Sequence, residues 1–188
     1  MTPMTANPGM TPLRRAAEAA EDASGLRAEI IRGVLMMSRT PCGKHNGIIT
    51  DLFRQLIPAL PEHLLPFQIS SVALPHDPDD YATPDVMVCD AAFEGSDDWL
   101  AEPGSVELVV EVVSKGNSSK YTRDMVSWYA DANIPVYLLI DPREGNWTRY
   151  TVPRDGEYQG VLHGLYGEDV ELTGLGLKIT TARFPRYS

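Results

Sequence analysis

Glu107-Leu108-Val109-Val110-Glu111-Val112-Val113 and Val136-Tyr137-Leu138-Leu139-Ile140 are two short apolar runs separated by a helical pattern. Runs of this length, rich in valine and leucine, read as strands buried inside a sheet. Between them Tyr121, Met125, Trp128, Tyr129 and Ala132 recur at helical spacing and form one apolar face. Ser118 or Ser119 can cap that helix, Asn133 can end it in the left-handed region, and Pro135 lies beyond. The order strand, helix, strand implies a right-handed parallel crossover. The fold class that follows is α/β, or more broadly an α+β mixed sheet flanked by helices.

Outward from this unit, Asp85 to Cys89 is an apolar strand, and His76-Asp77-Pro78-Asp79-Asp80 before it reads as an acidic loop. Phe67 to Leu74 reads as one strand. His45 to Leu60 is an amphipathic helix, with Ile48, Ile49, Leu52, Phe53, Leu56 and Ile57 on one side and Pro61 closing it. Further upstream, Val34 to Met37 is a strand after an Arg32-Gly33 turn, and Leu26 to Ile31 is helical or extended. Arg14 to Ala23 is helical in composition, whereas Met1 to Leu13 has the prolines and small polar residues of a disordered segment. Downstream, Trp147 to Val152 and Glu157 to His163 alternate around the turn Pro153-Arg154-Asp155-Gly156, which predicts a C-terminal antiparallel hairpin. Val170 to Thr173 and Leu177 to Ile179 are weaker strand candidates. The expected organisation is a disordered or helical extension over residues 1–25 and one domain over 26–188.

The 188 residues are 43% hydrophobic and 22% charged, the balance of an ordinary soluble domain, with a formal net charge of −10. Such a charge argues against broad affinity for nucleic acid, so a nucleic-acid substrate needs a local basic patch or a metal. Two cysteines, Cys42 and Cys89, make no disulfide framework, although one bridge between them stays open. Cys42 and His45 have a metal-like spacing, but no second pair completes a zinc site. Met1 to Arg15 lacks the apolar core of a signal peptide, and the best apolar runs are short and broken by Glu107 and Glu111. The expectation is no membrane span and a cytoplasmic location.

Two acids stand out because they sit in apolar strands: Asp85 after Pro84, and Glu111 within Val109-Val110-Glu111-Val112-Val113. A carboxylate is costly to desolvate there unless a metal or hydrogen bonds compensate it. Alternation puts Glu111 on the face of Val109 and Val113, and Asp85 on the face of Met87 and Cys89. If the two strands pair, both acids converge on one hard cation, Mg²⁺ or Mn²⁺, with the Val112 carbonyl as a third oxygen ligand. Such a metal polarises phosphate and lowers the pKa of bound water, which matches phosphodiester hydrolysis. The plainer alternative is that Asp85 makes a turn and Glu111 pairs with a structural arginine.

Pro84-Asp85 followed by Glu111-Val112-Val113 resembles the PD-(D/E)XK nuclease pattern. More specifically the chain resembles the Uma-type family of predicted restriction endonucleases. The resemblance runs through Glu29-Ile30-Ile31-Arg32-Gly33, His45, Pro84-Asp85, Glu111 to Ser114, Tyr129-Ala130, Ile134-Pro135 and Tyr137 to Pro142. It implies a restriction-endonuclease-like core, DNA as substrate, Asp85 and Glu111 as metal ligands, and Glu29 as an auxiliary acid. Many such nucleases act as dimers, so a homodimer is among the implied assemblies. His45 matches a recurrent histidine of the family; a structural or capping role is its plainer reading.

The lysine departs from the pattern. Val113 stands where the superfamily has it, and Met125 where the Uma-type family has it on the following helix. Tyr121 replaces an aspartate one turn earlier. Met125 lies on the apolar face, so core packing is its expected role. Lys115 or Lys120 can substitute, with Arg123 adjacent; an ion pair between Lys120 and Asp124 is the plainer reading of that lysine. Two functions follow: a metal-dependent endonuclease acting on DNA, or a catalytically impaired relative kept as a binding or interaction module. A serine hydrolase using Ser114 and His45 has little support, because no Gly-x-Ser-x-Gly elbow surrounds Ser114.

Overall fold

The computed structural model describes residues 11–115 and 119–188. The disorder expected for Met1 to Met10, and Ser118 as a helix cap, lie outside the described residues.

Helix α1 (Pro12–Ser24) begins where Thr11 Oγ1 accepts from the Arg14 N–H at 3.2 Å, with Pro12 pre-set for the first turn. It ends at Gly25, whose φ of +66° needs no Cβ to be avoided. Leu13, expected to be disordered, is inside this helix and packs on its core cluster. Ala17 is buried against Ala28, Ile30, Ala73 and Tyr81, and the Arg14 guanidinium lies 4.5 Å from the Tyr81 ring centroid and 4.3 Å from that of Trp99.

The hairpin β1 (Arg27–Ile31) and β2 (Val34–Ser38) follows, then α2 (Gly43–Leu56), which stops earlier than its sequence pattern. The single strand expected over Phe67 to Leu74 is two strands, β3 (Leu64–Phe67) and β4 (Ser71–Leu74), because Ile69 takes φ +61° between them. The acidic stretch is a strand too, β5 (Asp77–Ala82), paired with β4 and β1. Its acids serve as fixed acceptors. Asp80 Oδ1 receives the Trp128 indole N–H at 2.7 Å and Oδ2 the Gly33 N–H at 2.9 Å.

After β5 come β6 (Val86–Asp90), the short β7 (Leu100–Ala101), β8 (Val106–Val112), α3 (Ser119–Asp131) and β9 (Val136–Asp141). Strand β9 lies parallel to β8, as the strand–helix–strand pattern predicts. The C-terminal hairpin is β10 (Asn146–Arg154) with β11 (Glu157–Leu165), turned by Asp155 at φ +51° and Gly156 at φ +77°. A small pair, β12 (Asp169–Leu172) and β13 (Leu177–Thr180), completes the chain.

One mixed sheet has the order β11-β10-β9-β8-β6-β3, and a second has the order β2-β1-β5-β4-β7. Alternation along β6, β8 and β9 sends Val86, Val88, Leu108, Val110, Val112, Leu138 and Ile140 toward α2, where Ile48, Ile49, Leu52 and Leu56 cover them. Met87, Cys89, Val109 and Tyr137 face α3 and meet Met125, Trp128 and Tyr129. Cys42 is exposed and Cys89 buried; both thiols are free. No helix among the described residues is long and apolar enough to cross a membrane.

Candidate active site at the seam of the two sheets

The chain leaves the second sheet at the end of β5 and enters the six-stranded sheet at β6, and Thr83-Pro84-Asp85 is the link. Strands β6 and β8 are antiparallel with Val86 opposite Val110 and Met87 opposite Val109. Continued by one residue, this register sets Asp85 opposite Glu111. Continued by two, it sets Pro84 opposite Val112. Pro84 has no N–H to offer the Val112 carbonyl, and the Val112 N–H is taken instead by Asp85 Oδ2 at 2.8 Å. A strand residue directs its N–H and C=O to the same edge, so the Val112 carbonyl is on the edge that faces Asp85.

Asp85 is 6% exposed. Its other oxygen, Oδ1, lies 3.1 Å from His45 Nε2, off the line of a hydrogen bond. His45 is itself buried in the first turn of α2, and its Nδ1 is 3.3 Å from the Tyr187 hydroxyl. The site therefore holds Asp85 from three directions: its own strand link, β8 and α2. Glu29 reaches the same link from β1, with Oε1 accepting from the Thr83 N–H at 2.7 Å.

Glu111 is partly buried on the α3 face, where the fully buried Tyr129 donates its hydroxyl to Oε1 at 2.8 Å. Burial, and then the charges of Asp85 and Glu29, push the Glu111 carboxyl well above the ordinary range. Arg27 and the Tyr129 hydrogen bond oppose that rise. The three acids singled out in the sequence are thus electrostatic neighbours. The Tyr129 contact went unread because Tyr129 fits an apolar helix face; the signal was its hydroxyl, which needs a partner when the ring is buried.

Lysine is placed differently. Met125 is fully buried among Met87, Val109, Trp128 and Tyr129, which is the packing its sequence position predicts. Lys115 is exposed and donates to the Ser188 carbonyl at 2.7 Å. Lys120 is the second residue of α3, and its side chain lies outside the described residues. Among the described residues, Arg27 of β1 is a cation whose charge reaches Glu111. It lines a cleft of about 640 Å³ together with Asp85, Arg39, Asn46, Thr50 and Gln68.

The donor set fits a hard divalent cation. Asp85, Glu111 and the Val112 carbonyl are oxygen donors, and the mutual repulsion that raises Glu111 is what a cation relieves. Among the described residues no three His, Cys, Asp or Glu side chains cluster tightly enough to hold a metal alone. A cation here would need two carboxylates, one carbonyl and water as ligands, the pattern that suits Mg²⁺.

A mixed sheet with a parallel β8–α3–β9 crossover and paired acids at the start of β6 and the end of β8 is a restriction-endonuclease-like core. The sequence profile of Uma2, described as "Putative restriction endonuclease", matches residues 14–182, and the chain belongs to this family. The fold is similar to the crystal structure of a "putative nuclease belonging to DUF820" from Anabaena variabilis ATCC 29413. The TM-score is 0.64 at 18% identity, over 81% of this chain and 87% of that one. No curated protein matches the chain.

Proposed function

We propose that this protein is a metal-dependent endonuclease that hydrolyses DNA phosphodiester bonds. The carrying observation is the register of β6 on β8, which sets Asp85 across from Glu111 with the Val112 carbonyl on the shared edge. Asp85, Glu111 and the Val112 carbonyl hold Mg²⁺ or Mn²⁺. The bound ion supplies Lewis-acid polarisation of a phosphate oxygen and acidifies a water. The protein's own residues arrange the ligands: the Val112 N–H fixes Oδ2 of Asp85, His45 Nε2 lies 3.1 Å from Oδ1, and Tyr129 fixes one oxygen of Glu111. Glu29, tied to the Thr83 N–H, holds the link that carries Asp85 and adds negative charge beside it. The acids attract the cation, and the cation in turn makes an anionic substrate tolerable to a chain of net charge −10.

The test is cleavage of plasmid and linear DNA by purified protein with Mg²⁺ or Mn²⁺, with Asp85→Asn and Glu111→Gln as controls. Cleavage lost in both variants supports the reading. A correctly folded parent that leaves DNA intact with either metal overturns it. A second reading, a family member that binds without cleaving, draws on one observation: Met125 is packed into the apolar cluster where the family carries its lysine.

A further inference from the structure

The acid cluster is served by a cation from an unexpected element. Arg27 and Glu29 are two residues apart on β1, so their side chains leave the same face of the strand. That face is the one from which Glu29 reaches the Thr83 N–H, two residues before Asp85. Arg27 and Asp85 line the same cleft. The Arg27 guanidinium is anchored by its Nε, which donates to Ser38 Oγ at 3.2 Å, Ser38 being its register partner on β2. Lys115 opens onto a different cleft, with Lys44, Tyr187 and Ser188.

We propose that Arg27 is the phosphate-binding cation of this active site, taking the charge-stabilising part played by lysine in the family pattern. This rests on the endonuclease reading and names the group that meets the substrate. An arginine delivers its charge as a planar fork that binds two phosphate oxygens at once, and Ser38 holds that fork in one orientation. Its charge already reaches Glu111, where it works against the repulsion of the neighbouring carboxylates.

In hydrolysis the oxygen of water forms a bond to phosphorus while one bridging P–O bond breaks. The departing oxygen keeps the bonding electron pair and gains a proton; the attacking water loses one. Arg27 takes no part in that proton exchange, since its guanidinium stays charged. It binds the non-bridging oxygens, on which negative charge grows in the transition state. The division of labour differs from a lysine site in one respect: the cation cannot serve as a proton carrier.

The experiment compares the parent with Arg27→Met and Arg27→Lys in three measurements. These are DNA cleavage with Mn²⁺, binding of a labelled duplex in Ca²⁺, and Mn²⁺ binding by calorimetry, each on protein with an unchanged circular dichroism spectrum. The expected result is a cleavage loss of about a hundredfold or more in Arg27→Met. Arg27→Lys recovers part of it, and duplex affinity falls in Arg27→Met. Mn²⁺ affinity is kept or tightened in that variant, because a positive charge has left the carboxylates; a merely structural arginine would loosen the metal site instead. Arg27→Met cleaving at the parent rate overturns the proposal and leaves the endonuclease reading standing. If the parent does not cleave, that reading falls, and duplex binding decides alone: equal affinity of parent and Arg27→Met overturns the role of Arg27.

Discussion

Asp85 Oδ2 accepts the Val112 N–H at 2.8 Å, so a side chain takes the place of a backbone acceptor just beyond the last β6–β8 pair. The proline and the aspartate act as a unit. Pro84 has no N–H to return to the Val112 carbonyl, and the carboxylate of the next residue receives the Val112 N–H in place of a backbone carbonyl. This predicts that charge and fold separate at residue 85. Asp85→Asn keeps an acceptor for Val112 and removes one of the repelling charges, so without metal it melts at or above the parent temperature while cleavage is abolished. Asp85→Ala strands the Val112 N–H and costs about 1–3 kcal/mol. Thermal melts of both variants in EDTA check the separation; equal melting temperatures would contradict it.

Glu111 predicts a pH dependence. Its carboxyl titrates above the ordinary value of 4.5 in the folded protein, through burial first and the Asp85 and Glu29 charges next. The folded state therefore binds this proton more tightly than the unfolded chain. The stabilisation it brings is complete below pH 4.5 and is lost as pH rises through the folded-state value. Glu111→Gln has no such proton to lose. In EDTA, its stability advantage over the parent grows with pH above that point, as urea unfolding at a series of pH values measures. A saturating divalent cation shrinks the advantage, because it takes over the proton's role.

Asp80 should matter to stability as much as the site acids matter to chemistry. It is 5% exposed and joins three elements, receiving the Trp128 indole N–H of α3 and the Gly33 N–H of the β1–β2 turn. Asp80→Ala leaves two donors without an acceptor, at about 1–3 kcal/mol each. The expected signs are a lower melting temperature and altered tryptophan fluorescence, with no change in Mn²⁺ affinity per folded molecule.

Asp80 also marks where the sequence stopped being legible. The crossover from Val106 to Asp141 and the hairpin turn at Asp155-Gly156 are written in local signals, apolar runs and a turn dipeptide, and they appear as read. The stretch His76 to Asp80 has no apolar alternation, so it reads as a loop. Asp77 to Asp80 belong to a strand that pairs with β4 and β1, and the Asp80 carboxylate meets donors distant in sequence, from Trp128 and Gly33. The site divides the same way. Asp85 and Glu111 were visible as charges inside apolar strands, and Glu29 through a family motif. The contacts of His45 with Asp85 and of Arg27 with the acid cleft depend on how two sheets meet, which no local pattern encodes.

Met125 separates the two functional readings. It is fully buried one helical turn before Tyr129, whose hydroxyl is bonded to Glu111. In Met125→Lys an ammonium enters an apolar cluster, a change that costs several kcal/mol for an unpaired charge. Here the raised Glu111 carboxyl is within the same neighbourhood, and pairing with the new lysine lowers its pKa and offsets part of the cost. The variant is therefore expected to fold with reduced stability in EDTA, and the loss should shrink as pH rises and Glu111 ionises. For catalysis, the endonuclease reading expects DNA cleavage by the parent with Mn²⁺, so that the added lysine changes a rate that already exists. Cleavage that appears only in Met125→Lys, with the parent inert but still binding Mn²⁺, would instead identify the protein as a binding module built on an idle nuclease site.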